Sequence, residues 1–111
     1  MNTHEEAEAV LETALAAAKK AARAAYKKIG KRDTCGFANV YIFPARGKFI
    51  TVLKRRGIGK TLQGRGYLIG ASELHDVPQS QSITVHANAA EAFAKVVCEH
   101  GVAAYAGARM D

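Results

Sequence analysis

Residues 35–43 read CGFANVYIF and give the clearest strand signal in the chain. Aromatic and β-branched residues dominate the stretch, and Pro44 stops it, which is the pattern of a β-strand. Because side chains alternate across a strand, these residues divide into two faces. One face holds Ala38, Val40 and Ile42, and the other holds Phe37, Asn39, Tyr41 and Phe43. Neither face is charged, so we expect a central strand with both faces covered.

A long helix is predicted before this strand. Thr3 and Glu6 form a capping-box pattern, an alanine-rich run continues to Ile29, and Gly30 supplies the stop. Acidic residues occupy the first half of the helix and basic residues the second, which complements the helix dipole. The apolar stripe is mostly alanine. The helix can therefore approach another surface closely, either its own sheet or a second copy in a homodimer.

Further elements are predicted after the strand. The segment PARGKFITVLKRR indicates a helix that Gly57 ends, and residues 57–66 form a basic, glycine-rich loop. YLIGAS follows as a strand, a turn surrounds Pro78, and QSITV is a third strand. Asn88 and Glu91 repeat the capping-box pattern and open a third helix, which runs through His100, and VAAYAGARM closes the chain as the last strand.

This order predicts an α+β fold: an N-terminal helix followed by a ferredoxin-like βαββαβ arrangement with an antiparallel sheet. We expect a single domain over residues 1–111, with the helix in 1–30 and the βαββαβ core in 34–111. Right-handed crossovers place both core helices on one face of the sheet. The other face is then open to a partner or to the N-terminal helix.

Positive charge is concentrated in one part of the chain. The net charge is +6, and fourteen of the sixteen Lys and Arg residues lie between Lys19 and Arg65, where Asp33 is the sole acid. That stretch carries a net charge of +13, whereas the other residues hold two cations against nine acids, a net charge of −7. Such asymmetry points to a polyanionic partner, and nucleic acid is the first candidate.

We therefore predict that the chain is a non-enzymatic protein that binds nucleic acid, or another phosphate-bearing anion, through a basic surface. Phosphate contacts need only point charges, so binding should depend strongly on salt. The predicted phosphate contacts are Lys27, Lys28, Arg55, Arg56, Lys60 and Arg65. The glycine-rich loop adds backbone amides at Gly57, Gly59, Gly64 and Gly66.

The glycine-rich loop does not match a nucleotide-hydrolase motif. Gly59-Lys60-Thr61 resembles the end of a P-loop, but Lys54 stands where the first glycine of that motif is required, and the segment follows a helix instead of a strand. Glycines still allow backbone amides to approach an anion closely. The loop is thus either a weak phosphate site or a connector whose glycines only permit turns.

Aromatic residues offer a second route to nucleic acid. Phe37, Tyr41 and Phe43 share one face of the first strand, and Tyr67 is placed to join them. Exposed rings on such a sheet stack nucleic-acid bases. The proposed third strand, QSITV, has no aromatic residue. The pattern favours rings that are buried beneath the N-terminal helix.

Catalytic and metal-binding patterns are missing from the sequence. Cys35 and Cys98 form no metal-ligand spacing and are predicted to be buried, reduced thiols, and the four histidines are scattered. No enzyme and no cofactor are expected. No apolar run approaches the roughly 18 residues that span a bilayer. The acidic N-terminus is unlike a secretory signal, so no membrane association and a cytoplasmic location are predicted.

Several segments resemble a group of small uncharacterised proteins of tailed bacteriophages and prophages. These segments are CGFANVYI, the GRGY turn, the QS turn, EAFAKVV and the closing AYAGARMD, which together span roughly residues 30–111. The relatives carry tryptophan where this chain has Asn39. The resemblance implies an infected or lysogenic bacterial cytoplasm as the setting. Two further hypotheses fit that setting: a binder that sequesters a phosphorylated nucleotide, and an inhibitor that docks on an acidic host protein.

Overall fold

The computed structural model describes residues 2–29, 33–63, 66–77 and 82–110. Three α-helices and four β-strands make up most of these residues, and a short 3-10 helix spans Ala71–Glu73. In chain order the elements are α1 (His4–Ile29), β1 (Gly36–Ile42), α2 (Lys48–Arg55), β2 (Lys60–Thr61), β3 (Tyr67–Gly70), α3 (Ile83–Glu99) and β4 (Ala104–Met110).

The four strands form one sheet in the order β2-β3-β1-β4, and every neighbouring pair is antiparallel. The predicted strand at 35–43 is confirmed as β1, which pairs with β4 along its whole length and with β3 over its second half. The α+β class, the N-terminal helix and the antiparallel sheet are confirmed as well.

The long N-terminal helix is confirmed as α1, and its capping is close to the prediction. The Thr3 hydroxyl accepts from the Glu6 backbone N–H at 3.0 Å, and the Glu6 carboxylate accepts from the backbone N–H of Asn2 at 3.0 Å. The alanine stripe is buried, but it packs against α3 and, to a lesser extent, α2. α1 therefore covers the helix layer of its own chain, and the expected packing of this stripe on the sheet is wrong.

The second half of the sequence contains the main corrections. The described residues of QSITV, 82–85, are not a strand: α3 begins at Ile83, and Asn88 lies in its second turn. Ser82 is the N-cap, and its hydroxyl accepts from the Val85 N–H at 3.2 Å. A β-like apolar run thus becomes the first turn of a helix because a capping side chain precedes it. The strand that takes its place in the sheet is β2, within the glycine-rich loop.

A carboxylate strengthens the start of α3. Asp33 accepts from the Ser82 hydroxyl and, at 3.0 Å, from the Thr84 backbone N–H. These hydrogen bonds, that of Ser82 first, lower the pKa of Asp33 to about 2. The segment before β1 is thereby tied to the N-terminus of α3.

We expect Ser82→Ala to lower the free energy of unfolding by about 1–2 kcal/mol, because the first turn of α3 loses its cap. Urea denaturation monitored by circular dichroism measures this change. Thr13→Ala is the control, since the Thr13 hydroxyl only bonds back to the Ala9 carbonyl within α1. It should change the free energy by no more than about 0.5 kcal/mol. Equal effects of both substitutions would contradict the capping role.

The core lies between the helices and one face of the sheet. Ala38, Val40 and Ile42 of β1 point into it, and α3 packs against both β1 and β4. Phe49 of α2 meets Phe93 of α3 with ring centroids 6.3 Å apart, so α2 shares this side of the sheet. Both cysteines were predicted to be buried, and that is wrong: Cys35 and Cys98 are exposed.

Candidate nucleic-acid interface

The face of the sheet turned away from the helices is uncovered in the described part of the chain. Strand register determines which residues share it, because directly paired residues point to the same side. We call this surface the open sheet face. It consists of Phe37, Asn39, Tyr41, Lys60, Leu68, Gly70, Tyr105, Gly107 and Arg109.

Aromatic rings dominate the half of this face formed by β1 and β4. Tyr41 and Tyr105 stack with ring centroids 5.0 Å apart and an interplanar angle of 21°. Tyr105 is 58% exposed and Phe37 is 41% exposed. The Arg109 guanidinium lies 5.6 Å from the centroid of the Phe37 ring, a cation–π contact. The predicted burial of these rings beneath the N-terminal helix is therefore wrong, because α1 lies on the other side of the sheet.

Two other aromatic residues behave differently from each other. Phe43 follows β1 and is 49% exposed, and a Cβ on Gly66 would lie 3.0 Å from its ring. Tyr67 was predicted to join the exposed rings, but it is fully buried, and its hydroxyl donates to the Ile58 carbonyl. The surface thus has rings from β1 and β4 and none from β3.

The other half of the open sheet face is a shallow polar pocket around Asn39 and Lys60. Glu73 borders it, and its carboxylate accepts from the backbone N–H groups of Gly59 at 2.9 Å and Gly70 at 3.0 Å. The backbone N–H of Gly59, which the loop was predicted to offer to phosphate, therefore already donates to the Glu73 carboxylate. At Gly59 the loop does not supply an anion site.

Close packing explains the glycine at position 59 instead. Gly59 has a φ of +75°, and a Cβ there would lie 2.6 Å from both the Leu68 carbonyl oxygen and the Tyr67 ring. Gly57, with a φ of +68°, follows the end of α2, and nothing lies within 4 Å of a Cβ placed on it. Gly64 lies outside the described residues.

The predicted cationic contacts that fall within the described residues do not gather on one surface. Arg56 binds two carboxylates of α1, those of Glu8 at 3.1 Å and Glu12 at 2.7 Å, and the bond to Glu12 is the main cause of its raised pKa. Lys27 lies fifteen residues after Glu12 on α1, which is a separation of about 22 Å along the helix axis. Arg56 is thus both neutralised and remote from the cations at the end of α1.

The remaining predicted contacts are divided among several places. Lys27 and Lys28 lie in the last turn of α1, and Arg55 lies in the last turn of α2. Lys60 is the one predicted cation that the described strands place on the open sheet face. Arg65 lies outside the described residues.

A row of cations does follow the exposed side of α1. Lys19, Lys20, Arg23 and Lys27 line a shallow groove along this helix. Arg23 is partly neutralised, because it donates to Asp76 at 2.6 Å and this bond is the main cause of the lowered pKa of Asp76. Since α1 rests on α3, this row lies on the opposite side of the molecule from the open sheet face.

A histidine pair lies apart from the open sheet face, next to Asp76, the carboxylate that binds Arg23. His75 Nε2 is 2.9 Å from His86 Nδ1, and His86 is buried on α3. Burial, and secondarily the nearby His86, lowers the pKa of His75, whereas Asp76 opposes the shift. In the residues described, no cluster of three or more His, Cys, Asp or Glu side chains could hold a metal ion.

We expect acid to weaken the fold through this pair. Because the pKa of His75 is lower in the folded chain, the unfolded chain takes up the proton first. The stability gained from the neutral imidazole is present above pH about 6.5 and is lost as the pH falls from there through the folded pKa. The lowered carboxylate pKa values of Asp33 and Asp76 act below pH about 4, so the interval between pH 4.5 and 6.5 isolates the histidines.

Urea denaturation at several pH values tests this expectation. The free energy of unfolding should decline between pH 6.5 and 4.5, and His75→Gln should flatten the decline. His4→Gln is the matched control, because His4 is exposed at the start of α1. An unchanged slope in the His75 variant would contradict the assignment.

Two residues of the candidate interface, Tyr105 and Arg109, were missed in the sequence. Both belong to β4, outside the stretch from Lys19 to Arg65 that drew attention to charge. The sequence did contain a signal for them: in the predicted strand VAAYAGARM, side chains alternate between the two faces, so Tyr105, Gly107 and Arg109 share one face.

No helix within the described ranges has both the length and the apolar character that crossing a membrane requires. The chain was compared with models of protein families, with curated proteins and with solved structures, and none of the three comparisons found a match.

Proposed function

We propose that this protein binds single-stranded nucleic acid on the open sheet face and acts without catalysis, as an accessory protein in a phage-infected or lysogenic bacterial cytoplasm. The observation that carries the proposal is the uncovered aromatic surface, in which the Tyr41–Tyr105 stack lies beside Phe37 and Arg109. A duplex keeps its bases stacked on one another, whereas a single strand can place them on side-chain rings.

The chemistry of the face suits this ligand. Each base stacked on an aromatic side chain contributes about 1–3 kcal/mol, and every base has a π-face, so sequence preference is weak. Arg109 on β4 and Lys60 on β2 flank the rings from opposite edges of the sheet. They are the two cations of this face that can contact phosphates on either side of the stacked bases.

The ferredoxin-like arrangement is part of the proposal. β1 and β2 are both antiparallel to β3, and β3 and β4 are both antiparallel to β1. Each parallel pair is therefore split by one strand, and α2 and α3 are the two crossovers. This topology supports the assignment, and in proteins with such a sheet the face without helices is the one that stacks bases.

Salt dependence distinguishes this face from the basic surface predicted from the sequence. For single strands the logarithm of affinity falls with the logarithm of salt with a slope of about −0.7 per phosphate contact. Contacts from Lys60 and Arg109 alone give a slope of roughly −1.4. The six cations predicted from the sequence would give roughly −4.

Fluorescence anisotropy with DNA and RNA oligonucleotides of about 12 nucleotides tests the proposal, since sites of this kind cover about 4–16 nucleotides. We expect single strands to bind at least about tenfold more tightly than the matching duplex, with the shallow salt slope. Equal binding of duplex and single strand, or no binding at low salt, would overturn it. A thermal shift with mononucleotides alone would favour the nucleotide-sequestering alternative, and a single host protein captured after nuclease treatment would favour the inhibitor.

A further inference from the structure

β4 is an edge strand, and one hydrogen bond determines which of its backbone groups point toward β1 and which point away from it. Phe43 donates its backbone N–H to the Ala103 carbonyl at 3.1 Å. Phe43 and Ala103 are therefore a hydrogen-bonded pair of the antiparallel ladder, in which the N–H and C=O groups of each residue point at the other residue. In such a ladder the direction alternates from one residue to the next. Ala104, Ala106 and Ala108 therefore direct their N–H and C=O groups away from β1, along the outer edge of the sheet.

Apart from the exposed Arg109 and the Cys98 thiol, which donates to the outward Ala104 carbonyl at 3.0 Å, this edge lacks the devices that usually prevent pairing with another chain. β4 is seven residues long and regularly paired with the central strand, and it contains neither proline nor an inward-pointing charge. Within the ranges that the structure describes, its only strand partner is β1. A long, regular edge of this kind is a template for one more antiparallel strand.

We propose that a second copy of this chain supplies that strand, through a two-fold axis that passes Gly107. Gly107 is the middle residue of β4, so this register alone pairs all seven residues of both copies. Ala106 then lies opposite the partner's Ala108, and their outward backbone groups exchange hydrogen bonds, as the alternation requires. The result is a continuous eight-stranded antiparallel sheet.

The side chains of the open sheet face are complementary in this register. Tyr105 lies opposite the partner's Arg109, so each guanidinium meets an aromatic ring across the axis. Because Arg109 already contacts Phe37 in its own chain, a cross-strand row forms. It runs from Phe37 through Arg109 to the partner's Tyr105 and the partner's Tyr41.

The axis also joins the two binding surfaces. A two-fold axis between antiparallel strands is perpendicular to the sheet, so both open sheet faces point the same way. If the proposed function holds, one strand of nucleic acid can cross both faces, and the partner's Arg109 contributes to the site. Pairing itself does not depend on that function, and it is measured without nucleic acid.

Cysteine cross-linking tests the register. Gly107→Cys, with Cys35→Ser and Cys98→Ser to remove the two exposed thiols, places two cysteines on the axis with Cα atoms about 4.5 Å apart. That separation is within the range of a disulfide. A Cβ at position 107 meets nothing closer than 3.4 Å, so the fold should accept it. We expect a covalent dimer after mild oxidation.

Ala106→Cys in the same background is the matched control. In the proposed register position 106 faces the partner's Ala108, and the two introduced cysteines are too far apart for a disulfide. Cross-linking of the Ala106 variant instead of the Gly107 variant would overturn the register. Cross-linking of neither would overturn the pairing.

The native mass gives an independent test. Sedimentation of the unmodified protein should approach twice the 11.8 kDa of one chain as concentration is raised about a hundredfold. Ala108→Pro removes an outward N–H that β1 does not use, so it should shift the equilibrium to monomer while circular dichroism stays unchanged. A monomer at every concentration would overturn the proposal. Loss of nucleic-acid binding with an intact dimer would overturn only the proposed function.

Discussion

Tyr105→Ala is expected to weaken the binding of a single-stranded oligonucleotide by roughly 5- to 150-fold. The substitution removes the exposed member of the Tyr41–Tyr105 stack, and one base–aromatic contact contributes about 1–3 kcal/mol. Tyr105 is largely exposed on an edge strand, so the folded state should persist. Anisotropy titration at a fixed, low salt concentration measures the loss.

Matched variants separate stacking from charge and from the fold. Tyr105→Phe retains the ring and should bind almost as well as the unmodified protein. Lys28→Ala removes a cation from the last turn of α1, a helix that packs on α3 and not on the open sheet face, and should leave both affinity and salt slope unchanged. If Lys28→Ala weakened binding as much as Tyr105→Ala, the open sheet face would not be the site. Retained affinity in Tyr105→Ala would contradict base stacking there.

Gly59→Ala is expected to lower the free energy of unfolding by roughly 3 kcal/mol or more. Two causes add: the positive φ costs about 1–2 kcal/mol for a residue with a side chain, and the new Cβ collides with backbone and ring atoms of β3. The nearest of these atoms lie 2.6 Å away, so they must move. Urea denaturation measures the change.

Gly57→Ala provides the comparison, because Gly57 has a similar positive φ with open space around it. It should cost only the conformational part, about 1–2 kcal/mol. The difference between the two variants is then the packing contribution at Gly59. Equal costs would show that the contact with β3 is unimportant. This result bears on function too, since it assigns the loop glycine to packing and not to phosphate binding.

Local signals explain why some elements were predictable. The capping residues, charge polarity and alanine periodicity of α1 all lie within one segment, and so do the alternation and the proline stop of β1. QSITV was misassigned because its apolar residues suit a strand, whereas Ser82 caps a helix there and a contact with Asp33, 49 residues earlier, reinforces that helix start. β2 was missed because two residues in a glycine-rich loop carry no periodicity.

The candidate site depended on information that is not local. Alternation correctly placed Phe37 and Tyr41 on one face, but whether that face is covered depends on where α1 packs. An alanine stripe fits a helix as well as a sheet, so the sequence does not reveal its partner. Charge counted along the chain also failed to predict the basic surface, because residues distant in sequence neutralise one another. Glu8 and Glu12 bind Arg56, although they lie 48 and 44 residues before it.

The stacked tyrosines have an optical consequence. The chain contains no tryptophan and four tyrosines, so its intrinsic ultraviolet emission comes from tyrosine alone. Tyr41 and Tyr105 lie together on the exposed surface, whereas Tyr67 is buried and serves as an internal reference. A base that stacks on the pair would quench their emission directly. Occupancy of the surface can thus be followed without a dye, in the unmodified protein.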